Sequence, residues 1–156
     1  MQQQKGGYLK SLKIIHLALL AGQCMFLVVM VFLVVRNILP PVSPSLDKTF
    51  QVMALLVSFA AVFGSMRIFK KKLLTINTTA GSIAGKLAQY RTANILQWAM
   101  IEGATLFSII CFFLTSNYSF AALAITLIVF FAMLMPAKIK IMLQLQLNEQ
   151  EADALE

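Results

Sequence analysis

The chain has 156 residues, of which 60% are hydrophobic and only 12% charged, with a net charge of +7. A soluble domain of ordinary composition holds about 45–50% apolar and about 25% charged residues. A chain this small cannot hide the excess in one aqueous core. The basic residues flank apolar runs and form no aromatic-rich groove, so no nucleic-acid partner is expected and the bilayer is the expected solvent.

A transmembrane helix needs about 20 mostly apolar residues, and four segments qualify: 14–35, 50–66, 95–114 and 120–135. None alternates with the period of a barrel strand, so the expectation is all-α, a single polytopic membrane domain of four helices over 1–156. Lys5, Lys10 and Lys13 precede the first span in the manner of a signal peptide. The apolar run after them is too long for a typical h-region and no Ala-x-Ala site follows, so the first span is expected to be a mature helix.

The second span can lengthen through Ile68 and Phe69 if Arg67 snorkels. Beyond it, "FKKKLL" opens a link over 68–94. Helix 2 is expected to run past the membrane and turn near Asn77 to Gly81. Arg67, Lys70, Lys71 and Lys72 read as headgroup anchors. The outer loops are 36–49, which holds Pro40, Pro41 and Pro44, and the short 115–119, which makes the third and fourth helices antiparallel neighbours.

After Pro136, "KIKIMLQLQL" alternates with period 2, yet next to a membrane helix an interfacial helical extension is preferred. Four of the six acidic residues, Glu149, Glu151, Asp153 and Glu156, lie in the tail over 148–156, which is expected to be frayed. Eleven of the thirteen basic residues fall on the side of the termini and the central link, leaving Arg36 and Lys48 opposite. The positive-inside rule then predicts a multi-pass protein of a bacterial inner membrane with both termini cytoplasmic.

The first and third spans share a frame. Aligning "IIHLALLAGQCMFLVVMVFL" with "ILQWAMIEGATLFSIICFFL" sets Ile14 on Ile95, Ala18 on Ala99, Gly22 on Gly103 and Phe26 on Phe107. More weakly, Phe50 meets Phe120 and Ala54 meets Ala124. The pattern suggests two hairpins in the same orientation, a parallel internal repeat. Ala18 with Gly22, Ala99 with Gly103 and Ala60 with Gly64 are small-x-x-x-small pairs, which let helix backbones approach closely. They predict that the first and third helices meet through matching grooves.

Glu102 is the one acidic residue inside a span, near its middle, and stands opposite Ala21 in the repeat. A mid-bilayer charge costs about 2.5–3.5 kcal/mol on insertion scales, so Glu102 is expected to hold its proton at neutral pH. Gln23, Ser58, Thr105, Ser108 and Thr126 are its candidate hydrogen-bond partners, Thr105 being one turn away on the same face. Two roles stand open: a protonated clip between helices, or a carboxyl that binds a proton or cation with help from Gln23 and Thr105.

No catalytic constellation, cofactor motif or metal-ligand spacing is present. His16 is a single histidine at a span edge, and Cys24 and Cys111 lie inside apolar runs without disulfide spacing. An enzyme is not expected, because active sites need convergent polar groups.

The stretch carrying Arg91, Ala99, Glu102 and Phe107 resembles the carboxylate-bearing helix of the proteolipid, subunit c, of rotary ATP synthases. That resemblance covers one helix, and it implies an ion-binding role for Glu102 alone. The second span has only Gly64 where that family's partner helix is glycine-rich, and the acid lies in the third helix rather than the last. The whole pattern also resembles the small four-helix inner-membrane proteins common in bacteria, which implies no activity. The expected protein is therefore a small integral membrane protein, an accessory or oligomer-forming subunit whose partners are the bilayer and a second copy or a larger membrane complex. The alternative is a proton or cation pathway component built on Glu102.

Overall fold

The computed structural model describes residues 7–37, 44–79, 81–148, 151 and 155, without the side chains of 44–46. The described residues are all-helical: α1 (Tyr8–Val35), α2 (Pro44–Thr78), α3 (Ile83–Thr115), α4 (Tyr118–Met133) and α5 (Lys138–Leu145). α1, α2 and α3 are long and apolar enough to cross a membrane, and the count is four if α4 and α5, bent by 74° at their junction, form one span.

α2 and α3 have 35 and 33 residues. At 1.5 Å per residue each is about 50 Å long, well beyond a hydrocarbon core of about 30 Å. α2 ends at Thr78, and Ser82 starts α3 by accepting a hydrogen bond from the Gly85 amide at 3.2 Å, the usual service of an N-cap serine. Most of the 68–94 link is therefore helix. At the far end α3 stops on Ser116 in the left-handed region (φ 55°), and the Asn117 side chain caps α4 by accepting from the Ser119 amide at 2.9 Å. Asn117 also donates to an Asp47 carboxylate oxygen at 2.8 Å, which ties the start of α2 to this turn.

α4 has 16 residues, about 24 Å. Pro136 has no N–H to give to Ala132 and disfavours helical geometry at Met135, so the helix breaks there. The chain resumes as α5, which folds back against α2.

α3 is the hub. It packs along α2, α4 and α1, while α1 leans on α3 and α4 rather than on α2. The expected pair of equivalent hairpins is thus not how the helices meet: the short α2–α3 turn holds those two helices together along their length. α3 buries thirteen residues and α1 only Leu12, His16 and Gln23.

The two ends differ in content. The starts of α1 and α3, the end of α2 and all of α5 meet in one large apolar cluster that includes Leu12, Phe69, Ile76, Tyr90, Ile141 and Leu145. The basic residues of those segments gather at the same end. At the opposite end Ala54, Cys111, Phe112, Phe120 and Ala121 form a smaller cluster. Midway, Ala61, Ala104 and Leu127 bring α2, α3 and α4 together.

α5 is helical, but Ile141 and Leu145 are fully buried in the basic-end cluster while Ile139 and Leu143 stay exposed. Among the described residues of the tail, Asn148 and Glu151 exchange reciprocal side-chain to amide hydrogen bonds of 3.0 and 2.8 Å, and Leu155 is fully buried. Glu149, Asp153 and Glu156 lie outside the described residues.

Candidate functional site

Helical periodicity places Glu102 at a border. Trp98, Ile101 and Thr105 of α3 have no exposed surface, whereas Ala99 and Gly103 face outward. Glu102 lies between these faces, half-buried, and among the described residues it makes no hydrogen bond or ion pair.

The partners expected for it are engaged elsewhere or unreached. Thr105 donates to the Ile101 carbonyl at 2.9 Å, Ser108 to Ala104 at 3.0 Å and Thr126 to Ala122 at 2.9 Å, each within its own helix. A hydroxyl one turn from its own helix's carbonyl finds that acceptor without leaving the backbone. Ser58 and Gln23 are buried, and neither the serine hydroxyl nor either amide atom of Gln23 has a partner. The suggested trio of Glu102, Gln23 and Thr105 is therefore not joined by hydrogen bonds.

The small-residue frame also turns outward. Ala18, Gly22, Ala60, Ala99 and Gly103 are exposed, and a Cβ added at Gly22 or Gly103 would meet nothing within 4 Å. At Gly64 a Cβ, if added, would lie 3.4 Å from the Met100 Cε of α3. The close contacts inside the chain use Ala61 and Ala104, one residue to the side of Ala60 and Gly103. α1 and α3 do pack, but through other faces.

The polar residue that the structure brings forward is His16. It has no exposed surface, stacks on Phe131 with ring centroids 4.6 Å apart and meets Trp98 edge-on at 4.9 Å. Its Nε2 lies 3.0 Å from the Phe131 carbonyl oxygen. A carbonyl only accepts, so Nε2 carries the hydrogen. Phe131 sits in the last turn of α4, and its carbonyl also accepts from the Leu134 amide at 2.9 Å. His16 thus adds a second donor to a carbonyl at the helix end and ties α1 to the turn that Pro136 stops. Nothing in the sequence pairs position 16 with position 131. Pro136 signals a helix end, but not which side chain would reach it.

Arg67, Lys70, Lys71 and Lys72 are all exposed. Lys71 and Lys72 line an open groove of about 470 Å³ between α2 and α3, together with Ile68, Thr75, Gln89 and Thr92. Lys70 points elsewhere, into a cleft shared with the α4–α5 elbow. Cys24 and Cys111 are both free thiols.

No protein-family model, curated protein sequence or solved structure matches the chain.

Proposed function

We propose that this is a small multi-pass protein of a bacterial inner membrane, with both termini cytoplasmic, that acts as an oligomer-forming subunit rather than an enzyme. Three helices of spanning length, apolar side chains exposed along α1 and α2, and basic residues gathered at one end support the membrane reading. Glu102 carries the oligomer reading. Intramembrane acids face a bundle interior or another polar group, and this one faces neither within its own chain. The interior it needs is then supplied by assembly. Beside it, Ala99 and Gly103 leave a shallow surface with nothing in the way.

A second copy is the simplest occupant, because a two-fold contact brings the same patch to both sides. Two protonated carboxyl groups, each donor and acceptor, can then satisfy one another. Interhelical hydrogen bonds in membranes are worth about 1–2 kcal/mol in model peptides. Glu102→Leu should therefore weaken the dimer about 5- to 30-fold, while Glu102→Gln, which keeps a donor and an acceptor, should hold it. Gly103→Ala should leave the monomer's stability unchanged or slightly raised, since Ala is the better helix former, and should weaken association. Native mass measured in lipid nanodiscs reads all three. A wild-type chain that stays monomeric at every concentration defeats the proposal. The same Glu102→Gln variant separates the alternative of a proton or cation pathway: proton flux into liposomes that falls relative to wild type would replace the structural role with transport.

A further inference from the structure

Where α4 breaks at Pro136, α5 turns back across the ends of α2 and α3. The elbow encloses a cleft of about 280 Å³. Two ammonium groups enter it from different elements, Lys70 from α2 and Lys140 from α5, and neither forms an ion pair with a described residue. No acidic side chain lines it.

Three amides line the same space. Asn94 spends its Nδ2 on the Tyr90 carbonyl at 2.9 Å. Gln97 is 7% exposed as a residue and makes no side-chain hydrogen bond among the described residues, and its amide atoms stay accessible, open toward the cleft. Gln144 has its Oε1 held by the Tyr90 hydroxyl at 2.6 Å, which leaves its Nε2 as an unused donor. Tyr90 is itself fixed in the basic-end cluster, so the amide is pre-positioned. The set is two cations and two amide donors converging from α2, α3 and α5, with Leu73 and Leu134 as an apolar wall.

From this set we infer a binding site for a phosphate-bearing anion, with the headgroup of an anionic phospholipid as the favoured source. The choice of lipid rests on the membrane reading above. Phosphate oxygens accept hydrogen bonds and carry the charge that two lysines complement. The volume sits at the low end of the roughly 300–1,000 Å³ usual for small-ligand sites, which suits a glycerophosphate but not its acyl chains. Those would run along the apolar wall.

The test uses the full chain in nanodiscs of phosphatidylglycerol and phosphatidylcholine, with retained lipid read by native mass spectrometry. Wild type should retain phosphatidylglycerol selectively. Each lysine near an anionic lipid is worth about a factor of five, so Lys70→Ala with Lys140→Ala should cut the selectivity roughly 30-fold. Lys71→Ala with Lys72→Ala removes equal charge from the neighbouring groove. It should cost no more than about threefold, the screened long-range share. Gln97→Leu keeps every charge and should still reduce selectivity. Equal losses from the two lysine pairs, or no selectivity in wild type, overturn the lipid site. Inorganic phosphate titrated into protein in phosphatidylcholine nanodiscs forms the second arm. Binding there that is lost on removing Lys70 and Lys140 keeps the site and makes a soluble phosphate its ligand. Silence in both arms ends it. Alkaline carbonate extraction of cell membranes tests the membrane reading separately: a chain that stays in the pellet and shows no anion preference defeats only the cleft.

Discussion

The two ends of the bundle differ in how much they bury. At the basic end large side chains such as Phe69, Tyr90, Ile141 and Leu145 are packed away, and hydrogen bonds cross between elements. Tyr8 donates to the Leu87 carbonyl at 2.6 Å, Tyr90 to Gln144, and Asn77 to the Gln144 carbonyl at 2.9 Å. This is how a protein folds in water, where burying apolar area is the main driving force. At the other end and in the middle the small residues Ala54, Ala61, Ala104 and Ala121 pack beside two buried rings, Phe112 and Phe120, and Asn117 donates across to Asp47, while Leu55, Leu56 and Ile125 face outward. That suits lipid, where apolar exposure carries no penalty and close van der Waals approach holds helices together. On the membrane reading proposed above, the basic end is the part that faces water, and the α4–α5 elbow lies where it meets the apolar bundle.

The comparison is broken most directly by shortening one side chain at each end. Ile141→Ala removes a fully buried residue from the basic end and should cost about 2–5 kcal/mol. Leu55→Ala, at an exposed position beside Ala54 of the opposite cluster, should cost almost nothing in a bilayer. Thermal unfolding of both variants in nanodiscs checks the pair, and similar losses would mean that the two ends follow one rule.

A smaller effect, opposite in sign at two positions on α1, sharpens the contrast. His16→Leu removes the hydrogen bond from α1 to the Phe131 carbonyl, which keeps its bond from Leu134, and should destabilise by about 0.5–1.5 kcal/mol. Gln23→Leu replaces a fully buried amide with no partner by a side chain of similar size, and should be neutral or stabilising. A loss at Gln23 as large as that at His16 would show that its amide has a partner in the assembled protein.

The smallest effect is confined to alkaline pH. Burial pushes the Tyr90 hydroxyl above its ordinary value of about 10, Asn94 partly offsetting it. Burial, then Tyr90, do the same to Tyr8. Below pH 10 both states hold these protons and the basic end keeps its full stability. Above pH 10 the unfolded chain ionises first, so stability falls as pH rises toward the raised folded values. Tyr90→Phe should flatten that slope in an unfolding series from pH 9 to pH 11, and an unchanged slope would assign the loss to other groups.

Much of the helical layout was legible in the sequence, because hydropathy and length are local properties. The first three apolar runs lie within α1 to α3, the fourth outruns α4 by two residues, and α2 reaches Thr78 as "FKKKLL" suggested. The helix ends follow Ser82, Asn117 and Pro136, residues that act on their own neighbours. The site was less legible. Glu102 stood out by its type, but its neighbours did not follow from composition. A carboxyl at the edge of α3 and hydroxyls back-bonded to their own helices cannot be told from a paired set by spacing alone. The small-residue frame misled for a related reason. Ala60 and Ala61, or Gly103 and Ala104, differ by 100° around the helix, and the turn lengths that choose between them lie elsewhere in the chain.

The sequence by itself determined that the chain is helical, that three to four of its helices have spanning length, and that its charge is concentrated on one side. Each of these follows from runs of residues read in place. Tertiary structure alone decided that α3 is the hub, that His16 ties α1 to the end of α4, and that α5 returns to seal the basic end. It also decided that Lys70, Lys140, Gln97 and Gln144 share one cleft. Lys70, Gln97 and Lys140 lie 27 to 70 positions apart in the chain, and His16 lies 115 positions from Phe131. Such pairings depend on which faces of long helices turn inward, and no local pattern encodes that choice.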